Sequence, residues 1–184
     1  MISVGDIEAI HQHMTEVARS SLDHGERHWR DVARVGSVLC AEGVEADRDV
    51  LLLFAATHDT QRHNEFSDPV HGERAGELIR SLHGEGVIAI GDGQLDVLVE
   101  ALVGHDRGLT SDQHTVGACW DADRMTLWRV GKTPDPKFFS TEAALRSDFE
   151  FIELGKRIVD GPDLDWEEIV DAYRDRTATD LLSP

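Results

Sequence analysis

Residues 50–59 read Val50-Leu51-Leu52-Leu53-Phe54-Ala55-Ala56-Thr57-His58-Asp59, the most apolar stretch of a 184-residue chain. Asp47 stands just before it as a helix-capping residue, so the stretch predicts a helix that begins after residue 47. The apolar run is far too short to span a bilayer, and we therefore expect no contact with a membrane. His58 lies four residues after Phe54 and seven after Leu51, so it shares their apolar face and points into the interior.

On both sides of this helix the apolar residues keep helical spacing, and no stretch alternates as a β-strand would. The spacing predicts helices at about residues 5–21, 23–43, 47–56, 70–83, 94–106, 113–128 and 140–159, and a last one from residue 165. Asp23 and Glu26 have the spacing of a capping box, and Asp165 with Glu168 opens the last helix. The sequence thus predicts an all-α, single-domain helical bundle of about seven or eight helices over residues 1–184, with C-terminal helices at about 140–177 packed on the rest.

The composition is strongly acidic, with 36 aspartate and glutamate residues against 18 lysine and arginine residues and a formal charge of −18 at pH 7. A protein that binds duplex nucleic acid normally carries a basic surface that neutralises phosphates, so this partner is disfavoured. The first residues lack the basic and apolar regions of a signal peptide, which favours a cytoplasmic location. Cys40 and Cys119 fall in apolar helical patterns and are expected to be buried thiols. Nothing in the sequence predicts an oligomeric state.

Helical phase sorts the ten histidines of the chain, because some of them share a stripe with apolar residues. The polar groups that this phase turns inward are His28, His58, Asp59, His71, His105 and Asp121. A buried carboxylate is costly unless it is paired, and inside that apolar stretch no lysine or arginine is in phase with Asp121. A shared divalent cation would offset these burials together. A mixed set of histidine and carboxylate ligands suits Mn²⁺, Fe²⁺, Co²⁺, Ni²⁺ or Zn²⁺.

The order His28 … His58-Asp59 … Asp121 resembles the H…HD…D signature of the HD superfamily of metal-dependent hydrolases. The segment Asp121-Ala122-Asp123-Arg124 is similar to the last motif of many HD phosphohydrolases, and the resemblance covers about residues 24–130. It implies a helical fold of the HD type and a divalent metal held by His28, His58, Asp59 and Asp121. Asp123 lies two positions from Asp121, so we expect it on another side of the helix, in a cap or a salt bridge.

His71 and His105 lie between the His-Asp pair and the final aspartate, where HD proteins with two metals supply two further histidines. The whole run is therefore similar to an H…HD…H…H…D arrangement. That resemblance implies a second metal at His71 and His105, with Asp59 as the bridge between the two ions. Alternatively, both histidines line a cleft with one metal and contact the substrate phosphate. The resemblance implies one or two divalent transition metals per chain.

The function that the resemblance implies is hydrolysis of a small phosphorylated molecule, a nucleotide or another phosphoester. In that reaction Asp59 orients the attacking water, and His71 and His105 stabilise the phosphate or protonate the leaving oxygen. One alternative is an oxygenase similar to myo-inositol oxygenase, a minority type of HD protein that uses two irons and dioxygen to cleave a C–C or C–P bond. Another is a metal-stabilised binding or regulatory module without turnover.

Four further residues are candidates for substrate binding, because they lie close in sequence to the predicted ligands or to a loop beside them: His24, Arg62, His63 and Lys132. His24 lies one helical turn before His28. Arg62 and His63 belong to a polar loop after the His-Asp pair. Lys132 precedes two prolines. Each of these residues is equally explained as a solvated residue of an ordinary surface loop or helix end.

Overall fold

A computed structural model describes residues 1–146 and 150–175, and the regular elements in these ranges are helices. The α-helices are α1 (Val4–His11), α2 (Glu16–Ser20), α3 (Glu26–Ala41), α4 (Arg48–Thr57), α5 (His71–Gly84), α6 (Asp92–Gly104), α7 (His114–Met125), α8 (Glu142–Leu145), α9 (Phe151–Asp160) and α10 (Trp166–Asp175). Short 3-10 turns span Thr126–Val130 and Pro136–Phe138. Eight of these α-helices have seven residues or more, which confirms the all-α fold and the predicted number of helices.

Helix α4 lies at the centre of the bundle because it is apolar on every side. It packs against α1, α3, α6 and α7, and no residue from Val50 to Asp59 is more than 2% exposed. Asp47 caps the helix as predicted, since its Oδ1 accepts the backbone N–H groups of Asp49 at 3.0 Å and Val50 at 3.1 Å. Because α4 has no solvent face, His58 and Asp59 at its C-terminal end lie inside the bundle.

Helices α5 and α6 form the most extensive helix pair in the described structure. The two backbones approach closely at Gly72, where an added Cβ would lie 2.3 Å from the carbonyl oxygen of Leu102. The absence of a side chain at Gly72 therefore lets the first turn of α5 rest on the last turn of α6. This contact brings His71 next to His105.

The predicted helix at 5–21 is two helices in the structure, α1 and α2. The helical conformation is interrupted before Thr15. The Thr15 backbone N–H donates to the carbonyl of Thr60 at 3.0 Å, and its hydroxyl donates to the carbonyl of Arg62. Thr15 also caps α2 by accepting the N–H of Ala18. Tertiary hydrogen bonds to the segment after α4 thus replace helical ones, and helical spacing alone does not reveal them.

Of the two helix starts predicted from a pair of polar residues three apart, the one at Asp23 is wrong. Helix α3 is preceded by Gly25, which forms no side-chain cap, and Asp23 instead contributes its carbonyl to Arg129. The backbone packs closely at this helix start, since a Cβ at Gly25 would lie 2.3 Å from the Ser21 carbonyl oxygen. The predicted start at Asp165 is confirmed, because Asp165 and Glu168 exchange backbone-to-side-chain hydrogen bonds of 2.9 Å.

The C-terminal region predicted as helices at about 140–177 contains α8, α9 and α10, of which α8 is a single turn. Residues 147–149 and 176–177 of that prediction lie outside the described residues. Cys119 is buried and Cys40 is partly buried, both as free thiols. Within the described ranges, we find no helix with both the length and the hydropathy needed to cross a bilayer. The assignment of all 184 residues to one domain stays a prediction.

Candidate metal centre

Five of the six predicted inward-facing residues meet at one place in the bundle. The helices bring them together from four different directions: His28 from α3, His58 and Asp59 from the end of α4, His71 from the start of α5 and His105 from just after α6. None of the five is more than 5% exposed. Ligand atoms of these residues form two groups of three, each with its atoms within 4.8 Å of one another, and Asp59 belongs to both groups.

The two carboxylate oxygens of Asp59 face two different histidine pairs. Oδ2 lies 3.6 Å from His28 Nε2 and 3.5 Å from His58 Nε2. Oδ1 lies 3.1 Å from His71 Nε2 and 3.9 Å from His105 Nε2. Asp59 therefore stands between the pairs, where a bridging carboxylate would stand. We call His28, His58 and Asp59 the first group, and Asp59, His71 and His105 the second group.

Within each pair the two Nε2 atoms face each other, 3.0 Å apart for His28 and His58 and 2.9 Å apart for His71 and His105. The outer nitrogens of three of these rings are held by carbonyl oxygens, His58 Nδ1 by Ala55, His71 Nδ1 by Asp68 and His105 Nδ1 by Leu102. A carbonyl only accepts, so each of these Nδ1 atoms carries the ring hydrogen. The corresponding Nε2 atoms then present lone pairs to the cluster when the rings are neutral.

The outer nitrogen of His28 is held in a different way, by the hydroxyl of Thr126 at 3.2 Å. That hydroxyl donates its own hydrogen to the carbonyl of Asp123 at 2.7 Å, so it accepts from His28 Nδ1. The lone pairs of His28 and His58 therefore point at each other. A cation between them converts this repulsion into ligation, so the donor set fits a divalent metal.

The electrostatic environment favours lone pairs at the first group. Burial lowers the pKa of His28 to about 3 and the pKa of His58 to about 4, because desolvation penalises the charged imidazolium. Burial alone would raise the pKa of Asp59, but the adjacent His58 and hydrogen bonds from His105 and His24 hold it well below its usual range. Near neutral pH the first histidine pair is neutral and Asp59 is ionised. These are the protonation states that cation binding requires.

The second group differs in the direction of one pKa shift. Burial by itself would lower the pKa of His105, but its hydrogen bond to Asp59 and the charges of Asp123 and Asp59 raise that pKa above the usual value.

Asp121 is the predicted ligand that the structure does not bring to the histidines. Its Oδ1 accepts the backbone N–H of Ser140 at 2.8 Å, and its Oδ2 accepts both the N–H and the hydroxyl of Thr141 at 2.8 Å. These hydrogen bonds satisfy a carboxylate that is fully buried. Burial nevertheless raises the pKa of Asp121, the hydrogen bonds from Thr141 and Ser140 opposing it.

Asp123 takes the place that the sequence assigned to Asp121. Its Oδ1 lies 3.3 Å from His28 Nε2 and 3.9 Å from His58 Nε2. Burial would raise the pKa of Asp123, but its contact with the His28 imidazole and the neighbouring His58 lower that pKa far more. The prediction that Asp123 lies away from the site, in a cap or a salt bridge, is therefore corrected: Asp123, and not Asp121, faces the first group.

Helical phase failed here because α7 is enclosed on nearly all sides. Every described residue of α7 from Thr115 to Met125 is buried except Asp123, whose side chain is 15% exposed. An apolar stripe therefore marks the inside of the protein but not which neighbour a side chain meets. Asp121 faces the segment around residue 140, and Asp123 faces α3 and α4.

Two of the four candidate substrate-binding residues lie against the cluster. His24 Nδ1 is 3.1 Å from Asp59 Oδ2, and the His24 side chain is 18% exposed. Arg62 is buried, with Nη1 3.2 Å from Asp59 Oδ1 and 3.4 Å from His71 Nε2. His63 and Lys132 are exposed, and their contacts with the rest of the protein are made by backbone amides, to Asp68 Oδ2 and to the Leu127 carbonyl respectively.

A second arginine, Arg129, lies near the cluster and was not among the predicted site residues. Arg129 donates Nη1 to the Thr126 hydroxyl at 3.2 Å and Nε to the carbonyl of Asp23 at 2.6 Å. After burial itself, its positive charge is the largest influence that lowers the pKa of His28. In the sequence, Arg129 is only a basic residue that follows the Asp121-Ala122-Asp123-Arg124 segment, and basic residues are common near the C-terminal ends of helices.

In comparisons with known proteins, no family model matches the chain, and neither a curated protein nor a solved structure shows detectable similarity to it. Membership of the HD superfamily therefore stays a prediction from the motif order. The structure supplies a buried cluster of histidines and aspartates that fits a metal, at positions which that motif order selected except for Asp121.

Proposed function

We propose that the protein is a metal-dependent phosphohydrolase that acts on a small phosphorylated molecule. The observation that carries the proposal is the position of Asp59 between two pairs of histidines, with one carboxylate oxygen toward each pair. His28, His58, Asp59 and Asp123 would hold one cation, and Asp59, His71 and His105 would hold a second. A bound divalent cation supplies Lewis acidity, which acidifies water and withdraws negative charge from a phosphoryl oxygen.

Positive charge from the chain itself stands on two sides of this cluster. The guanidinium of Arg62 lies beside the second group, and Arg129 lies behind Thr126 at the first group. Both would attract the anionic oxygens of a phosphate ester in a protein whose overall charge is −18. His24 is the partly exposed imidazole next to Asp59, so we assign it the transfer of a proton to the leaving oxygen.

The burial of the cluster supports a small substrate. The residues of the cluster with solvent-exposed side chains are Asp123 and His24, at 15% and 18%. Asp106, whose carboxylate lies 3.8 Å from His71 Nδ1, is 31% exposed. An extended duplex would have to reach past these side chains against the negative charge of the surface. The low exposure of the cluster therefore favours a nucleotide or another small phosphoester.

Elemental analysis of protein purified anaerobically, without a metal-binding tag, tests the cation site first. We expect one or two equivalents of a divalent transition metal per chain, lost in His58→Ala and kept in His63→Ala, the exposed matched control. A phosphoester panel on the loaded protein follows, with the same two variants. Metal that stays in His58→Ala would refute the assigned site. A full metal load without hydrolysis of any ester would favour a binding or regulatory module.

A dinuclear iron oxygenase is the second candidate, and the shared Asp59 favours it, because two histidine pairs around one carboxylate provide ligands for two irons. In that case the anaerobic protein would contain about two iron atoms per chain. Oxygen consumption with organic substrates, lost in His105→Ala, would support cleavage of a C–C or C–P bond. Hydrolysis that continues without oxygen would exclude this candidate for the substrate tested.

A further inference from the structure

The two groups around Asp59 differ in the charge that surrounds them. The first group has two carboxylates within reach, Asp59 and Asp123. In the second group the only carboxylate ligand is the shared Asp59, and the positively charged Arg62 forms an ion pair with that carboxylate. Arg62 Nη1 lies 3.2 Å from Asp59 Oδ1 and 3.4 Å from His71 Nε2, two of the three atoms that would bind a second cation.

The guanidinium of Arg62 is fixed in this position by hydrogen bonds in three directions. In addition to Asp59, it donates Nε to the carbonyl of Asn64 at 3.3 Å and Nη2 to the carbonyl of Phe66 at 3.4 Å. It is 6% exposed, so water screens its charge poorly. The guanidinium is a cation. The charge at the second group is therefore a permanent part of the site.

A fixed positive charge within a few ångströms opposes the entry of a divalent cation. Where water screens poorly, repulsion between charges at such a separation is enough to change an affinity by orders of magnitude. The Nη1 atom also competes for the Asp59 oxygen that a cation in the second group would need. At the first group, Arg129 donates to the Thr126 hydroxyl, and in the described residues no guanidinium forms an ion pair with Asp59 Oδ2 or with Asp123.

We propose that Arg62 makes the two cation sites unequal: the first group binds its metal tightly, and Arg62 holds the affinity of the second group at a much lower value. The inference rests on the proposed cation site and deepens it, because it states which residue sets the number of metals bound at a given concentration. At low metal the protein carries one ion, and it carries two only when the metal concentration rises.

Titration of the chelator-stripped protein with Mn²⁺, followed by the electron paramagnetic resonance of free Mn²⁺, measures both affinities without any assay of activity. In the wild-type chain we expect one tight site and a second site at least about 10-fold weaker. Arg62→Gln keeps a hydrogen-bond donor but removes the charge, so the second site should tighten by about 10- to 100-fold while the first changes little. Arg62→Lys keeps the charge and should keep the sites unequal.

Arg74→Gln is the matched control, because Arg74 also anchors the 61–70 loop, through Gln61 and Asp68, without touching the ligand atoms. It should leave both affinities as in the wild type. Equal sites in the wild-type chain, or a second site that Arg62→Gln does not tighten, would overturn the role of Arg62 and leave the cation site standing. A wild-type chain that binds no Mn²⁺ even at high concentration would refute the proposed cation site itself.

Discussion

Two carboxylates on α7, Asp121 and Asp123, are separated by one residue and meet different surroundings. Asp121 accepts three hydrogen bonds from Ser140 and Thr141, and these bonds join the segment at 140–141 to α7. Asp123 faces the imidazoles of His28 and His58. Substitution of each residue therefore separates a structural role from a role in metal binding.

Asp123→Asn is expected to weaken metal binding at the first group, because it removes one of the two negative charges near His28 and His58. Asp121→Asn should leave the metal content unchanged. Elemental analysis after dialysis against a weak chelator measures the difference, which we expect to be about 10-fold or more in affinity. Metal loss in Asp121→Asn, with Asp123→Asn unaffected, would restore Asp121 as the ligand.

Asp121→Ala is expected to lower the free energy of unfolding by about 2–4 kcal/mol, because it leaves the partly buried N–H of Ser140 and the buried N–H of Thr141 without an acceptor. Urea unfolding followed by circular dichroism measures the change. Asp112→Ala, at an exposed position, serves as the control and should shift stability by less than about 0.5 kcal/mol. Equal stabilities of the two variants would contradict the role of Asp121.

At the level of elements, the contact between α5 and α6 sets the spacing of the second histidine pair. His71 is the first residue of α5, and His105 follows the last residue of α6. The neighbouring Gly72 allows this approach, since a methyl group there would meet the Leu102 carbonyl oxygen at 2.3 Å and His105 Nδ1 at 3.4 Å. The 2.9 Å separation of the two Nε2 atoms thus depends on a glycine.

Gly72→Ala is expected to push α5 away from α6, weaken the second cation site by about 10-fold or more and lower stability by about 1–3 kcal/mol. Gly84→Ala is the control in the same helix, because a Cβ there meets nothing within 4 Å. It should leave metal binding unchanged and raise stability slightly through the higher helix propensity of alanine. Mn²⁺ titration and thermal unfolding distinguish the two variants. An unchanged second site in Gly72→Ala would show that α5 tolerates the methyl group.

For the whole molecule, the buried histidines couple the stability of the metal-free protein to pH. The pKa of His28 is about 3 and that of His58 about 4, against an ordinary value near 6.5. As the pH falls below the ordinary histidine pKa, the unfolded chain binds protons that the folded chain does not bind. The free energy of unfolding therefore decreases until the pH reaches the folded-state pKa values. His105 acts in the opposite direction, because its pKa is raised in the folded state.

We therefore expect the chelator-treated protein to lose stability between about pH 6.5 and about pH 4, with an uptake of about one to two protons on unfolding. Urea unfolding at several pH values in this window measures the slope. The double substitution His28→Gln and His58→Gln should flatten it, and His63→Gln, at an exposed histidine, should not. Constant stability of the wild-type chain over this window would contradict neutral, buried imidazoles at the first group.

The sequence by itself determined the helical class and most of the buried set. Apolar residues at helical spacing, with almost no alternation, leave no alternative to a bundle of helices, and the run at 50–59 has no face suited to water. Because that helix must be enclosed, its terminal His58 and Asp59 must be enclosed too. The pattern also selected His28, His71 and His105 correctly as buried side chains, since burial depends on the phase of one helix at a time.

Only the tertiary structure decided which buried groups meet. Asp121 and Asp123 both lie on an enclosed helix, and the choice between them depends on how α7 is rotated against α3 and α4. The break at Thr15 and the positions of Arg62 and Arg129 likewise depend on contacts between segments far apart in the chain. Helical phase is a local property of a few neighbouring residues. These contacts depend instead on how all the helices of the bundle pack together, and the sequence of one helix does not determine that packing.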